Sequence, residues 1–260
     1  MSKIYALLVA GGKGTRMGNT EKPKQFLNLA GKPVLIHTAE RFAQFKEFEE
    51  ILILTPEAWI GYTEELLEEY MPGVCINGVS AAIDAKDADV NAGGASASGK
   101  PHIRVLAGGA TRNETVMNGI RYIEKTGNLT DDTIIVTHDC VRPLVTERII
   151  RENIEDGLKY MACNTVVPAT DTIMVSKDGE TICEVPDRAY LYQSQTPQTF
   201  KAKQLKECYE RLTEEEKERL TDACKIMVLS EIPVHMIQGD AANIKITYKE
   251  DLKVAEILLG

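Results

Sequence analysis

Short apolar runs alternate with segments of helical period along most of this chain. Residues 4–10, 51–55, 103–106, 133–137 and 165–167 read as strands, and residues 33–45, 57–70, 112–125 and 146–160 read as helices. Strands that alternate with helices build a mainly parallel sheet covered on both faces, so the expected fold is α/β and Rossmann-like, in one domain over residues 1–260. Pro33 suits a first helical turn, and Thr55-Pro56 closes a strand ahead of a new helix. Near the C-terminus, residues 233–238 and 244–247 read as strands and 249–259 as a closing helix.

Two stretches break the rhythm. Residues 75–100 are rich in Gly, Ala, Ser and Asp and hold too few large apolar groups to offset the entropy of ordering them. A flexible surface insert is the plain reading and a substrate lid the sharper one. Residues 172–185 place Asp178-Gly179 between two β-branched runs, a hairpin signal. A lone hairpin is marginal and needs a partner surface, so a protruding arm at about residues 170–190 is expected to join two copies in a homodimer.

With 39 acidic and 30 basic residues the net charge is −9, which argues against nucleic-acid or anionic-membrane partners. No apolar run approaches the roughly 20 residues of a membrane span. Any phosphate ligand must be met by a local cluster of basic groups. The apolar start of the chain resembles a signal peptide in composition, but it flows directly into a glycine loop with no cleavage-like spacer. The six cysteines show no C-x-x-C pair, and free thiols in a cytoplasmic setting fit them.

That glycine loop reads Ala10-Gly11-Gly12-Lys13-Gly14-Thr15-Arg16-Met17-Gly18, with Lys22-Pro23-Lys24-Gln25 close behind. Glycines let a backbone approach a ligand and turn N–H groups inward, and a triphosphate needs such a nest together with cations. Arg16 and Lys24 would supply the cations, and the loop stands at the carboxyl end of a strand, where open α/β sheets bind ligands. The alternative is a glycine-rich turn with solvated basic side chains. The spelling is not that of a P-loop, and Gly12-x-Gly14-x-x-x-Gly18 misses the dinucleotide spacing by one residue. Asp139, just beyond an apolar strand, is placed to hold Mg²⁺ between phosphates or to serve as a turn or capping aspartate. Its neighbour His138 reads as structural.

The loop resembles the signature of sugar nucleotidyltransferases. Gly108-Gly109-Ala110-Thr111-Arg112-Asn113-Glu114-Thr115, Thr137-His138-Asp139-Cys140-Val141-Arg142-Pro143, Thr170-Asp171-Thr172, Gln195-Thr196-Pro197-Gln198 and Asn243-Ile244-Lys245-Ile246-Thr247 follow in the order of the methylerythritol-phosphate and ribitol-phosphate cytidylyltransferase family. Within it, Thr221-Asp222-Ala223-Cys224-Lys225 is more similar to the ribitol-5-phosphate branch, where methylerythritol-phosphate enzymes typically carry Thr-Asp-Glu-Ala-Ser bordering the acceptor pocket.

The resemblance implies a nucleotidyltransferase fold and an in-line attack by the phosphate of D-ribitol 5-phosphate, or else of 2-C-methyl-D-erythritol 4-phosphate, on the α-phosphorus of CTP. Arg16, Lys24 and Lys245 would meet the phosphates; apart from the resemblance, Lys245 is an ordinary strand lysine. Ala10, Gly11, Gly12, Gly14, Thr15, Gly109, Ala110 and Thr115 would bind CTP, with the cytosine read by main-chain groups; the family often has a polar residue where this chain has Ala110. Arg142, Thr172, Arg188 and Thr196 would hold the acceptor, part of that set coming from the arm of a second copy. The loop alone would also suit a hexose-1-phosphate nucleotidyltransferase, and a non-catalytic nucleotide-binding module is the reading from another class.

Overall fold

Six consecutive apolar residues, Ile4–Val9, form β1 in the interior of an eight-stranded sheet. Such a run is at home where helices cover both faces of a parallel sheet. The computed structural model describes residues 2–12, 17, 22–74, 76–77 and 102–260. After β1 come the short antiparallel pair β2 (Asn28–Leu29) and β3 (Lys32–Pro33), α1 (Val34–Phe42), β4 (Phe48–Thr55), α2 (Ile60–Tyr70), β5 (Ile76–Asn77) and β6 (His102–Ala107). The chain continues through α3 (Arg112–Lys125), β7 (Ile134–Asp139), α4 (Glu147–Lys159), β8 (Ala162–Pro168), β9 (Tyr192–Lys201), α5 (Ala202–Arg211), α6 (Glu214–Glu218), α7 (Cys224–Leu229), β10 (His235–Gln238) and α8 (Lys249–Leu259).

The strand order is β10-β8-β9-β7-β1-β4-β6-β5. Only β9 runs antiparallel to its neighbours. Alternation along β1 divides the core: Ala6 and Leu8 pack with residues of α1, α2 and α4, while Tyr5 and Leu7 pack with α3, α5 and α7. A third cluster joins Met17, Val141 and Ile246 to Ala255 of α8, at the carboxyl end of β7. No helix among the described residues is long and apolar enough to cross a membrane.

The mainly parallel α/β sheet expected from the alternation is present, with four departures. The central strand β9 was hidden by its polar composition and by Pro197, a residue that ordinarily argues against an interior strand. The β8–β9 register shifts between Asn164 and Val166, and the proline falls in that irregularity, where a missing N–H is tolerated. Helices α5 to α7 lie beyond the periodic segments read above. Residues 244–247 form no strand, because both edges of β7 are already taken by β1 and β9; a backbone bond from Ile246 N–H to the Val141 carbonyl holds them instead. The expected hairpin is an arm with one isolated bridge, Val175 to Glu184. Its turn forms at Asp178-Gly179, where Gly179 has φ +78° and the Asp178 carboxylate accepts from the N–H groups of Glu180 and Thr181. Ile173, Met174, Ile182 and Val185 are exposed, so pairing along the arm has nothing among the described residues to pack against. Apart from Ile76 and Asn77, the insert at 75–100 lies outside the described residues.

Gly157 of α4 marks a tight contact with β9. A Cβ there would stand 2.4 Å from Thr199 Cγ2 and 3.3 Å from Ile134 Cγ2. Thr199 is buried and its hydroxyl bonds Asn153 Oδ1, so it has no room to turn. Gly157→Ala is therefore expected to destabilise the fold by about 1–3 kcal/mol, against the roughly 1 kcal/mol that helix propensity alone would add in its favour; urea unfolding of the two proteins measures the sign.

Candidate active site

Three backbone bonds carry the parallel ladder past the strand ends. Ala10 N–H reaches the Leu54 carbonyl, Gly108 N–H the Thr55 carbonyl and Cys140 N–H the Val9 carbonyl, at 2.8, 2.7 and 3.0 Å. They hold the loops after β1, β6 and β7 side by side around a cavity of about 450 Å³. Its rim includes Gly11 and Gly12 on one side and Gly109, Ala110 and Thr111 on the other. Thr111 caps α3 through a reciprocal pair with Glu114, which places the positive end of a 14-residue helix at the cavity. The Thr115 hydroxyl accepts from Gly109 N–H at 3.0 Å and donates to the Thr111 carbonyl at 2.8 Å, fixing the turn between them. Gly109 has no room for a side chain, since a Cβ would lie 2.4 Å from Glu114 Cβ.

Lys24, Arg112 and Lys245 line this cavity, with Asp139 as the only carboxylate on its wall among the described residues. Asp139 ends β7 opposite Val9 of β1. One of its oxygens accepts from Arg112 Nε at 3.0 Å, the other from Lys245 Nζ at 2.6 Å. Burial would push this carboxyl up, but the charges of Arg112 and Lys245 outweigh it and hold Asp139 well below the usual carboxylate range. Burial works against the Arg112 guanidinium too, and Asp139 more than compensates, leaving it above its ordinary value. The two outer nitrogens of Arg112 are buried with no hydrogen-bond partner among the described residues. Lys24 lies against Gly12 and donates to the Ile246 carbonyl at 2.9 Å.

Behind Asp139 the hydrogen-bond directions are fixed by chemistry. The Arg142 carbonyl can only accept, so His138 Nε2 carries the proton in the 3.1 Å bond between them. Neutral His138 then accepts at Nδ1 from the Thr196 hydroxyl at 3.0 Å, and that oxygen accepts the Asp139 N–H at 3.1 Å. Burial pushes His138 down to about 4, which keeps the ring neutral near pH 7.

Of the residues expected from sequence, Ala10, Gly11, Gly12, Lys24, Gly109, Ala110, Thr115, Asp139 and Lys245 meet at the cavity. Gly14, Thr15 and Arg16 lie outside the described residues. Thr196 and Arg142 stand behind the wall: Thr196 is buried with its hydroxyl engaged as above, and Arg142 donates to the Asn243 carbonyl at 2.6 Å. Thr172 and Arg188 are exposed on the arm, where Arg188 donates to the Thr170 carbonyl, and neither reaches the cavity of its own chain. Arg112 and Gln25 carry positions that sequence reading left without a role. The signal for Arg112 was its place one residue after the Thr111 cap at the start of a helix.

An open α/β sheet with glycine-rich loops, a helix N-terminus and clustered cations at the carboxyl ends of its strands is built to handle a nucleotide. The family model described as IspD, 2-C-methyl-D-erythritol 4-phosphate cytidylyltransferase, matches residues 4–260, and the chain belongs to that family; it is an enzyme, a nucleotidyltransferase. Solved structures share the fold. The 4-diphosphocytidyl-2C-methyl-D-erythritol synthase of Anaerococcus prevotii is 24% identical, superposes with a TM-score of 0.72, and the match covers 99% of this chain and 98% of that one. The 2-C-methyl-D-erythritol 4-phosphate cytidylyltransferase of Francisella tularensis is 22% identical with a TM-score of 0.70, covering 98% and 99%. Its counterpart from Thermus thermophilus is 24% identical with a TM-score of 0.66, covering 99% and 98%.

The buried neutral histidine makes a pH prediction. With a folded value near 4 against an unfolded reference of 6.5, the unfolded chain binds the extra proton between those values. The contribution is fully present above pH 6.5 and is lost as the pH falls from 6.5 toward 4. Lowering the pH from 7 to 5 should therefore cost the native protein about 2 kcal/mol more than it costs His138→Asn, as read from denaturant midpoints at the two pH values.

Proposed function

We propose that this enzyme transfers the cytidylyl group of CTP to the phosphate of 2-C-methyl-D-erythritol 4-phosphate, releasing pyrophosphate. The observation that carries the chemistry is the cavity wall: three cations against one carboxylate, facing two glycine-rich loops, in a protein of net charge −9. Two polyanions have to be brought together for in-line attack, and the work is positioning and charge stabilisation, with no covalent enzyme intermediate. Lys24 and Lys245 approach the phosphates from different segments of the chain, and Arg16 belongs to the same proposal. Lys245 has three donors and gives one to Asp139, leaving others for a phosphate oxygen. Main-chain groups of the Gly11–Gly12 and Gly109–Thr111 rims would hold the nucleotide. The acceptor is supported by the family match over residues 4–260.

Mg²⁺ is part of the proposal. No group of three or more metal-binding side chains occurs among the described residues, so substrate phosphates would supply most of the coordination, and Mg²⁺ accepts one or two carboxylates on those terms. A carboxylate has about four acceptor positions, so Asp139 can add a metal ion to the two cations it holds. When bound, the ion would neutralise charge on the phosphates.

D-Ribitol 5-phosphate is the second acceptor reading, favoured by the segment Thr221–Lys225. Its Asp222 accepts from Ser194 Oγ and Gln198 Nε2, both at 3.2 Å, and the charge of Asp222 acts on Arg112 at the cavity. This segment is therefore near enough to shape what docks there. Pyrophosphate release with CTP, Mg²⁺ and each acceptor separates the two: turnover with the methylerythritol phosphate is expected, and turnover with ribitol phosphate alone would move the assignment. Lys24→Gln and Lys245→Gln should each lower turnover by about 10²–10³; losses below about threefold at both would remove their assignment.

Thr172 and Arg188 are proposed to serve the acceptor site of a second copy, since they do not reach the cavity of their own, and the exposed apolar side chains of the arm fit a dimer contact. Mixing Lys24→Gln with Arg188→Gln then leaves one intact site in each mixed dimer. Activity should recover to about a quarter of the native value after subunit exchange, and no recovery would place the arm outside the reaction.

A further inference from the structure

Lys24 sits on a three-residue 3₁₀ turn, Lys24–Phe26, whose preceding residue, Pro23, provides no side-chain cap. A turn this short has little stability of its own and takes its position from what its side chains touch. Two contacts do this. Gln25 donates its side-chain N–H to the Ala10 carbonyl, tying the turn to the end of β1. Phe26, 4% exposed, stacks on Trp59 with ring centroids 5.0 Å apart and meets Tyr62 edge-on at 5.3 Å. Trp59 and Tyr62 also touch one another edge-on at 5.7 Å, closing an aromatic triad.

On the other side of Pro23, Lys22 donates to the Tyr62 hydroxyl at 2.6 Å and stands 4.3 Å from the centre of its ring, a cation held against an aromatic face. Residues 22, 25 and 26 are thus each fastened, and Lys24, between them, lines the cavity together with Gln25. The fastening is itself anchored. Trp59 ends the 3₁₀ turn Glu57–Trp59 just past Pro56, its carbonyl accepts from the Thr63 hydroxyl at 2.7 Å, and the segment hangs directly from the carboxyl end of β4, the strand beside β1.

We infer that Trp59 and Tyr62 are positioning residues for the reaction: an aromatic clasp on α2 and its entry turn that sets where the Lys24 ammonium meets the phosphates. The clasp rests on the role proposed for Lys24. It also gives Lys22 a task, since holding that cation on Tyr62 keeps a second ammonium off the segment that presents Lys24.

A double-mutant cycle on the full-length enzyme tests it. Trp59→Leu is expected to lower kcat about tenfold, in line with the cost of small misplacements at a reacting centre, while the acceptor KM stays within about twofold. In a Lys24→Gln background the same change should cost less than about twofold, because the group it positions is gone. Tyr62→Phe keeps the ring and removes the bond to Lys22; it serves as the milder second variant should Trp59→Leu fail to fold, with an expected loss of about threefold in kcat, again only where Lys24 is present. Equal losses with and without Lys24 would overturn the clasp while leaving the proposed function standing. Full turnover in Lys24→Gln alone would overturn the clasp together with the role proposed for Lys24.

Discussion

A buried carboxylate costs several kcal/mol unless its charge is met, and Asp139, 5% exposed, is met from two directions. Arg112 comes from the first turn of α3 and Lys245 from the irregular segment before α8. The pairings join three parts of the chain far apart in sequence at the carboxyl end of β7. The His138–Thr196 relay fixes the Asp139 backbone from behind, so the carboxylate is set by its main chain as well as by its partners. Removing the charge would leave buried Arg112 with only the weaker influence of Asp222 to offset it, which makes Asp139 a structural keystone.

The sheet explains why these partners are available. Parallel strands β1, β4, β6 and β7 all end on one side, and loops leaving neighbouring parallel strands must share the space above those ends. Ladder bonds continued into Ala10, Gly108 and Cys140 bring two glycine-rich loops and the Asp139 turn to a common wall. The antiparallel β9 closes the far side of β7 and brings Thr196 under Asp139, a placement that parallel strand ends alone would not supply.

What could be read in the sequence follows from this geometry. Asp139, Gly11 and Gly12 sit at strand ends or just beyond them and Lys24 follows in the same basic, glycine-rich segment, so local pattern and residue chemistry were enough to single them out, while Gly109 and Lys245 came through the resemblance. Arg112 was harder, because its role depends on where the first turn of α3 lies relative to β7, a relation that no local pattern records. Thr196 and Arg142 have buried positions set by β9 and by residues 241–248, and β9 was obscured by Pro197 and its glutamines. Residues 244–247 alternate like a strand, yet a strand needs a free edge and β7 offers none. In the arm the Asp-Gly turn was legible while the extent of pairing was not, since pairing depends on what covers Ile173, Met174, Ile182 and Val185, which are exposed among the described residues.

The opposite signs of the chain and its site set the terms of recognition. A net charge of −9 opposes the approach of a nucleoside triphosphate at long range, and screening confines that effect to about 8 Å at physiological ionic strength. Within that distance the three cations of the wall and the N-terminal end of α3 act in a partly desolvated cavity, where charge interactions are several times stronger than in water. The groups around the cavity are each held by a second contact: Lys24 by the Ile246 carbonyl, Lys245 and Arg112 by Asp139, and Gly109 by Thr115. An acidic surface that discourages other polyanions and a small, rigidly seated basic wall together favour a ligand that can satisfy several of these groups at once.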